Sequence, residues 1–124
     1  MFKVIIAGSR GFEDYDILKK TMDSLLRIRV EQGEEIVIVC GEAHGADALG
    51  KCYASERGFA VLSFPADWRR FGRRAGVIRN RQMAEAADAC VCFWDGESRG
   101  TANMIEEARR RGLPLRVKRF RRSD

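Results

Sequence analysis

The sequence has little of what would make several explanations easy. It holds one histidine, His44, and two prolines, Pro65 and Pro114. Its four cysteines, Cys40, Cys52, Cys90 and Cys92, form no CxxC pair, so a metal centre has almost no ligands to draw on and none is expected. No apolar run approaches the roughly 20 residues of a membrane-spanning helix, and the few apolar residues of MFKVIIAGSRGF are too short for the core of an export signal. A soluble, cytoplasmic protein without membrane contact is expected, with its cysteines reduced and packed as small hydrophobes. The patterns GxxxxGK[ST] and GxGxxG are also absent, which argues against a P-loop ATPase and an ordinary dinucleotide dehydrogenase.

What is present reads as alternation. At 124 residues the chain fits one domain, 1–124, able to bury roughly two-thirds of the surface its unfolded form exposes. Short, largely apolar runs at Phe2–Ala7, Ile36–Cys40, Ala60–Phe64 and Ala89–Trp94 predict strands, and Leu115–Phe120 can add a fifth at an edge. Between them, Tyr15–Val30, Ala46–Arg57, Val77–Ala87 and Thr101–Arg111 have helical spacing or helix-ending glycines, while PADWRRFGRRAG is expected to be irregular. Strands apolar on both faces, separated by helices, require a parallel sheet covered on both sides. The fold class is therefore α/β, three-layered. Ligands of such sheets bind beyond the carboxyl ends of strands where the strand order reverses, which directs attention to the loops after strands one, two and four.

The first of these loops, Gly8-Ser9-Arg10-Gly11, combines free backbone, a hydroxyl and a guanidinium that can fork onto phosphate oxygens. The second, Gly41-Glu42-Ala43-His44-Gly45-Ala46-Asp47, feeds a helix whose unpaired N–H groups attract anions; Asp47 either lies near a ligand or caps that helix. His44 reads as a loop residue near the ligand rather than a base. In the third, Asp95-Gly96-Glu97-Ser98-Arg99-Gly100-Thr101, Ser98 and Thr101 can donate to phosphate, and Thr101 can equally be an N-cap. Six arginines lie between Trp68 and Met83 with no acid among them. Of these, Arg79 is the best single candidate for phosphate, placed to emerge at a helix start while Met83 packs below it. Trp68 and Phe71 are either core plugs or a platform for a base or ribose.

Taken in order, GSR after strand one, GxAxGAD after strand two, PADW, RNxxM, and WDGxSxGT resemble the YspA-like branch of the SLOG superfamily, from Ile5 to about Pro114. Related to that branch are the LOG phosphoribohydrolases and the Rossmann-like domain of DprA. The resemblance implies a Rossmann-like sheet in the order 3-2-1-4-5, a pocket for nucleotides or nucleotide-derived ligands, and homo-oligomers. It matches Arg79, followed by Asn80, to the arginine that LOG enzymes use, and Gly100-Thr101 to the GT of PGGxGTxxE. Where that motif has its glutamate this chain has Met104, preceded by Asn103, while Glu106 and Glu107 come a turn later.

The leading expectation is a binding domain for a nucleotide-like ligand, with sensing or effector action and no other cofactor. Gly8, Ser9, Arg10, Gly41, Gly45, Asp47, Arg79, Asn80, Ser98, Gly100 and Thr101 are its candidate ligand residues. An alternative is a hydrolase cleaving an N-glycosidic bond, in which Asp95 or Glu97 would replace the missing glutamate. A third is a DNA-binding module. Residues 109–124 carry eight Arg or Lys against one Asp, which leaves the rest of this +5 chain slightly acidic; a basic tail from about residue 116 is either a solvated end or a grip on nucleic acid.

Overall fold

The computed structural model describes residues 1–121. Its elements run β1 (Phe2–Gly8), α1 (Tyr15–Glu31), β2 (Ile36–Gly41), α2 (Ala46–Arg57), β3 (Ala60–Phe64), α3 (Trp68–Phe71), a 3-10 turn (Gly72–Arg74), α4 (Ala75–Ala86), β4 (Ala89–Trp94), α5 (Arg99–Arg110) and β5 (Leu115–Arg119). The strands form one parallel sheet in the order β3-β2-β1-β4-β5, as the Rossmann-like reading expected.

Alternation along the central strands separates the two cores. On one face Val4 and Ile6 of β1, Ile36 and Ile38 of β2, and Val91 and Phe93 of β4 pack with Leu18, Met22 and Leu26 of α1 and Tyr53 of α2. On the other, Ile5, Ala7, Val39, Cys90 and Cys92 pack with Met83 of α4 and Met104 and Ile105 of α5. Cys90 and Cys92 thus share a face, their sulfurs 3.6 Å apart, and act as small apolar side chains. The apolar run of β3 is covered less than its composition suggests. It lies at the sheet edge, where Val61 and Leu62 remain 42% and 38% exposed.

One stretch differs from expectation. PADWRRFGRRAG is not irregular: Asp67 accepts the Arg70 N–H at 3.1 Å, caps α3, and the 3-10 turn leads straight into α4, which begins at Ala75 rather than Val77. The arginine-rich, apolar-poor run hid this helix. The basic residues from about 116 begin within the expected edge strand. Arg116, Lys118 and Arg119 belong to β5, paired to β4, and Phe120 still donates its N–H to Trp94 O at 3.0 Å. The end of the tail, 122–124, lies outside the described residues.

The sheet places the β1/β4 boundary at its switch point, because the chain moves outward from β1 through β2 to β3 and then returns to β1's other side. Phe93 anchors this boundary, fully buried and stacked on Phe12 at 4.8 Å between ring centres. Phe93→Ala is expected to lower the unfolding free energy by about 3–5 kcal/mol, read from the urea midpoint, because it empties an aromatic-sized volume in a close-packed core.

Candidate functional site

A cleft of about 540 Å³ opens at the carboxyl ends of β1 and β4 and is walled by the starts of α2 and α5 and by α4. Its floor is locked by a hydrogen-bonded knot between loops far apart in sequence. Ser9, 1% exposed, donates its N–H to Phe93 O at 2.9 Å, and its Oγ accepts the Asp95 N–H at 3.1 Å. Ser98 Oγ lies 2.8 Å from Ser9 Oγ and 2.9 Å from Asp95 Oδ1. Asp95 Oδ1 also accepts the N–H groups of Glu97 and Ser98 at 2.9 and 2.8 Å. Desolvation pushes the Asp95 carboxyl up, but the donors of Glu97, Ser98 and Ser9 outweigh it and hold it at about 2. Asp95 is therefore an ionised brace of the loop.

That brace leaves the start of α5 open. Ser98 occupies the N-cap position but makes no capping hydrogen bond, its hydroxyl being turned to Asp95 and Ser9. The first helical bond of α5 runs from Ala102 N–H to Ser98 O, so the N–H groups of Arg99, Gly100 and Thr101 have no acceptor within the helix. Thr101, open in sequence between cap and ligand residue, sits buried in the first turn rather than at the cap.

The opposite wall carries charge. Asp47, 5% exposed, does not cap α2; its Oδ2 accepts the Ala43 N–H at 3.3 Å instead. Burial pushes the Asp47 carboxyl up, opposed by Arg79, the Ala43 N–H, Lys51 and Arg10. Arg79 emerges from the second turn of α4 rather than its start, with Nε donating to Asn80 Oδ1 at 3.0 Å and Nη1 to Phe64 O at 3.5 Å. Asn80 in turn donates Nδ2 to Gly100 O and Asn103 Oδ1 at 3.2 and 2.9 Å, bracketing α4 to α5.

Of the candidate ligand residues, Gly8, Ser9, Arg10, Asp47, Arg79, Asn80, Ser98, Gly100 and Thr101 line this one cleft, and so does Asp95. Gly41 and Gly45 stand behind the wall and permit it. A side chain on Gly41 would strike the Arg79 guanidinium, and one on Gly45, whose φ is +76°, would strike the Ser9 and Arg10 carbonyls. Glu97 and His44 are exposed and outside the lining. Trp68 stands at the rim, 55% exposed, whereas Phe71 does not reach the cleft. Arg73, Arg99 and Asn103 join the lining without having been assigned to it; Arg99 could have been found as the cation following Ser98 in the third loop. Met104 is buried at the glutamate's place, while Glu106 turns to Arg110 at 2.8 Å and Glu107 to Arg110 and Arg81 at 3.4 and 3.8 Å. Among the described residues no group of His, Cys, Asp and Glu could hold a metal, and no helix is long and apolar enough to cross a membrane.

The family model described as YspA, cpYpsA-related SLOG family matches residues 2–71. The chain belongs to this SLOG family. Gene 61 protein of Mycobacterium phage D29 is 36% identical to this chain over 121 residues, covering 93% of this chain and 94% of that protein. The SLOG fold here also superimposes on DNA processing protein A from Streptococcus pneumoniae with a TM-score of 0.74. That match covers 94% of this chain at 18% identity and shows the fold alone; the chain spans about half, 50%, of DNA processing protein A.

The two aspartates should respond oppositely to pH. Asp95 is held below its ordinary 3.8, so its stabilisation is present above that value and is lost as pH falls through about 2. Asp95→Ala should therefore be less stable by on the order of 1–2 kcal/mol at neutral pH and converge with the wild type in strong acid, as followed by urea unfolding. Asp47 is raised above 3.8, so its contribution is most favourable below that pH and declines as pH rises through its folded value. Asp47→Asn should melt a few degrees higher than the wild type at neutral pH, with the gap closing in acid; an equal Tm throughout would contradict this.

Proposed function

We propose that this SLOG domain binds a nucleotide or nucleotide-derived small molecule in the cleft and serves as a sensor or effector. In this reading the ligand's phosphate rests against the Gly8–Gly11 turn and the start of α5. One observation carries it: the uncapped N–H groups of Arg99, Gly100 and Thr101 open into the same cleft as that turn, flanked by Arg10 and Arg99. Helix N-termini and guanidinium forks both favour phosphate oxygens. The lining carries four guanidiniums, Arg10, Arg73, Arg79 and Arg99, against two carboxylates, Asp47 and Asp95. Its volume of about 540 Å³ lies within the usual range for small-molecule sites, about 300–1,000 Å³.

The hydrolase alternative draws less support. Asp95 already accepts three bonds within its loop, Glu97 lies outside the lining, and Met104 offers no carboxylate. A second reading, contact with a single-stranded polynucleotide, is favoured by the exposed Arg69, Arg70, Arg73 and Arg74 beside Trp68, none of which forms an ion pair among the described residues.

Titration calorimetry with the four ribonucleoside 5′-monophosphates tests the binding reading. Arg10→Ala and Arg99→Ala should each weaken binding by about tenfold or more, since a charge-assisted hydrogen bond contributes about 1.5–3 kcal/mol. Unchanged affinity in both would remove the phosphate from this end of the cleft. Binding of single-stranded DNA that falls steeply with salt, without mononucleotide binding, would favour the polynucleotide reading.

A further inference from the structure

Asp47 is out of place in a site for phosphate alone. A buried carboxylate repels an anion, and its neighbour Arg79 does not neutralise it by contact: no nitrogen of Arg79 comes within 4.0 Å of it. The two groups nevertheless converge. A side chain placed on Gly41 would meet both, touching the Arg79 Nη1 and lying 2.9 Å from Asp47 Oδ2. Gly41 therefore lets the guanidinium and the carboxylate close in on the same strand end, and both residues line the cleft.

The remaining lone pairs of Asp47 are available. Its Oδ2 accepts only the Ala43 N–H, at a long 3.3 Å, and its Oδ1 receives no hydrogen bond from the described residues. No fully enclosed side-chain oxygen or nitrogen among the described residues lacks a partner, so Oδ1 reaches the open cleft. Arg79 is held from behind by Asn80 and Phe64, which leaves its position fixed by the protein rather than by a ligand.

Resting on the nucleotide reading above, we infer that Asp47 and Arg79 form a subsite for the sugar hydroxyls of the ligand and make the cleft selective for ribose over sugars lacking those hydroxyls. A hydroxyl suits this pair of cleft-lining groups as neither an anion nor a cation would. It donates its proton to the Asp47 carboxylate and accepts from the Arg79 guanidinium, so both charged groups gain a partner at one atom. A phosphate would satisfy Arg79 but oppose Asp47. An ammonium group would do the reverse. The ligand then lies across the switch point, with its phosphate at the start of α5 and its sugar at the start of α2.

The proposal is tested by calorimetry with whichever of the four ribonucleoside 5′-monophosphates binds most tightly and with its 2′,3′-dideoxy counterpart, on the wild type and Asp47→Asn. The wild type should prefer the ribonucleotide by about tenfold or more, the worth of one hydrogen bond to a charged group. In Asp47→Asn that preference should shrink severalfold, the dideoxy compound binding at least as tightly as to the wild type. Equal binding of the two compounds by the wild type overturns the subsite without touching the nucleotide reading, and it requires no variant to fold. A full preference surviving in Asp47→Asn also overturns it. If no monophosphate binds the wild type, both the nucleotide reading and the subsite fail.

Discussion

Everything at the carboxyl edge of the sheet depends on how the loops after β1 and β4 are joined. Ser9 is the joint. It receives the Asp95 N–H, touches Ser98, and is tied to β4 through Phe93 O, all with 1% of its surface exposed. Parallel sheets create a gap at the switch point because consecutive helices cross to opposite faces there. In this chain the knot closes the bottom of the gap and leaves the top open. The same hydroxyl that would ordinarily cap α5 is used for the knot, so the helix keeps its unpaired N–H groups where an anion can reach them.

The cleft also shows how a domain can hold unfavourable charge without an enclosed ion pair. Asp95 and Asp47 are both aspartates on loops or helix starts beside the same space, yet Asp95 is surrounded by donors and Asp47 has a single long one. Burial pushes the Asp47 carboxyl up, while the donors around Asp95 outweigh its desolvation and hold it down. Asp95 gives the loop its shape, whereas Asp47 is buried with a single long hydrogen bond from the Ala43 N–H.

Much of the architecture was legible from residue order. Apolar runs closed by glycine marked β1, β2 and β4, and their apolar character on both faces required helices on both sides. The strand order rested on family motifs rather than on hydrophobic pattern. Composition did not reveal that β3 is an exposed edge, because Val61 and Leu62 look the same in sequence whether covered or not. It also did not show which polar residues would be consumed internally. Asn80 appeared as a ligand residue but spends its amide on Gly100 and Asn103, and the Ser9–Ser98 contact spans 89 residues, beyond any local signal. Arg79 was singled out by its helical spacing from Met83, but its depth in α4 depended on where that helix begins, which the arginine-rich run concealed.

The knot beneath the cleft has a kinetic consequence. Its hydrogen bonds join residues separated by 86 and 89 positions, with α2, which supplies Asp47, lying between them in the chain. Contacts of such long sequence separation close late, after local helices and the β1–β2 pairing have removed most of the chain's freedom. No fragment short of β4 can hold the pocket. On a ribosome, the cleft would therefore stay incomplete until the greater part of the domain had emerged.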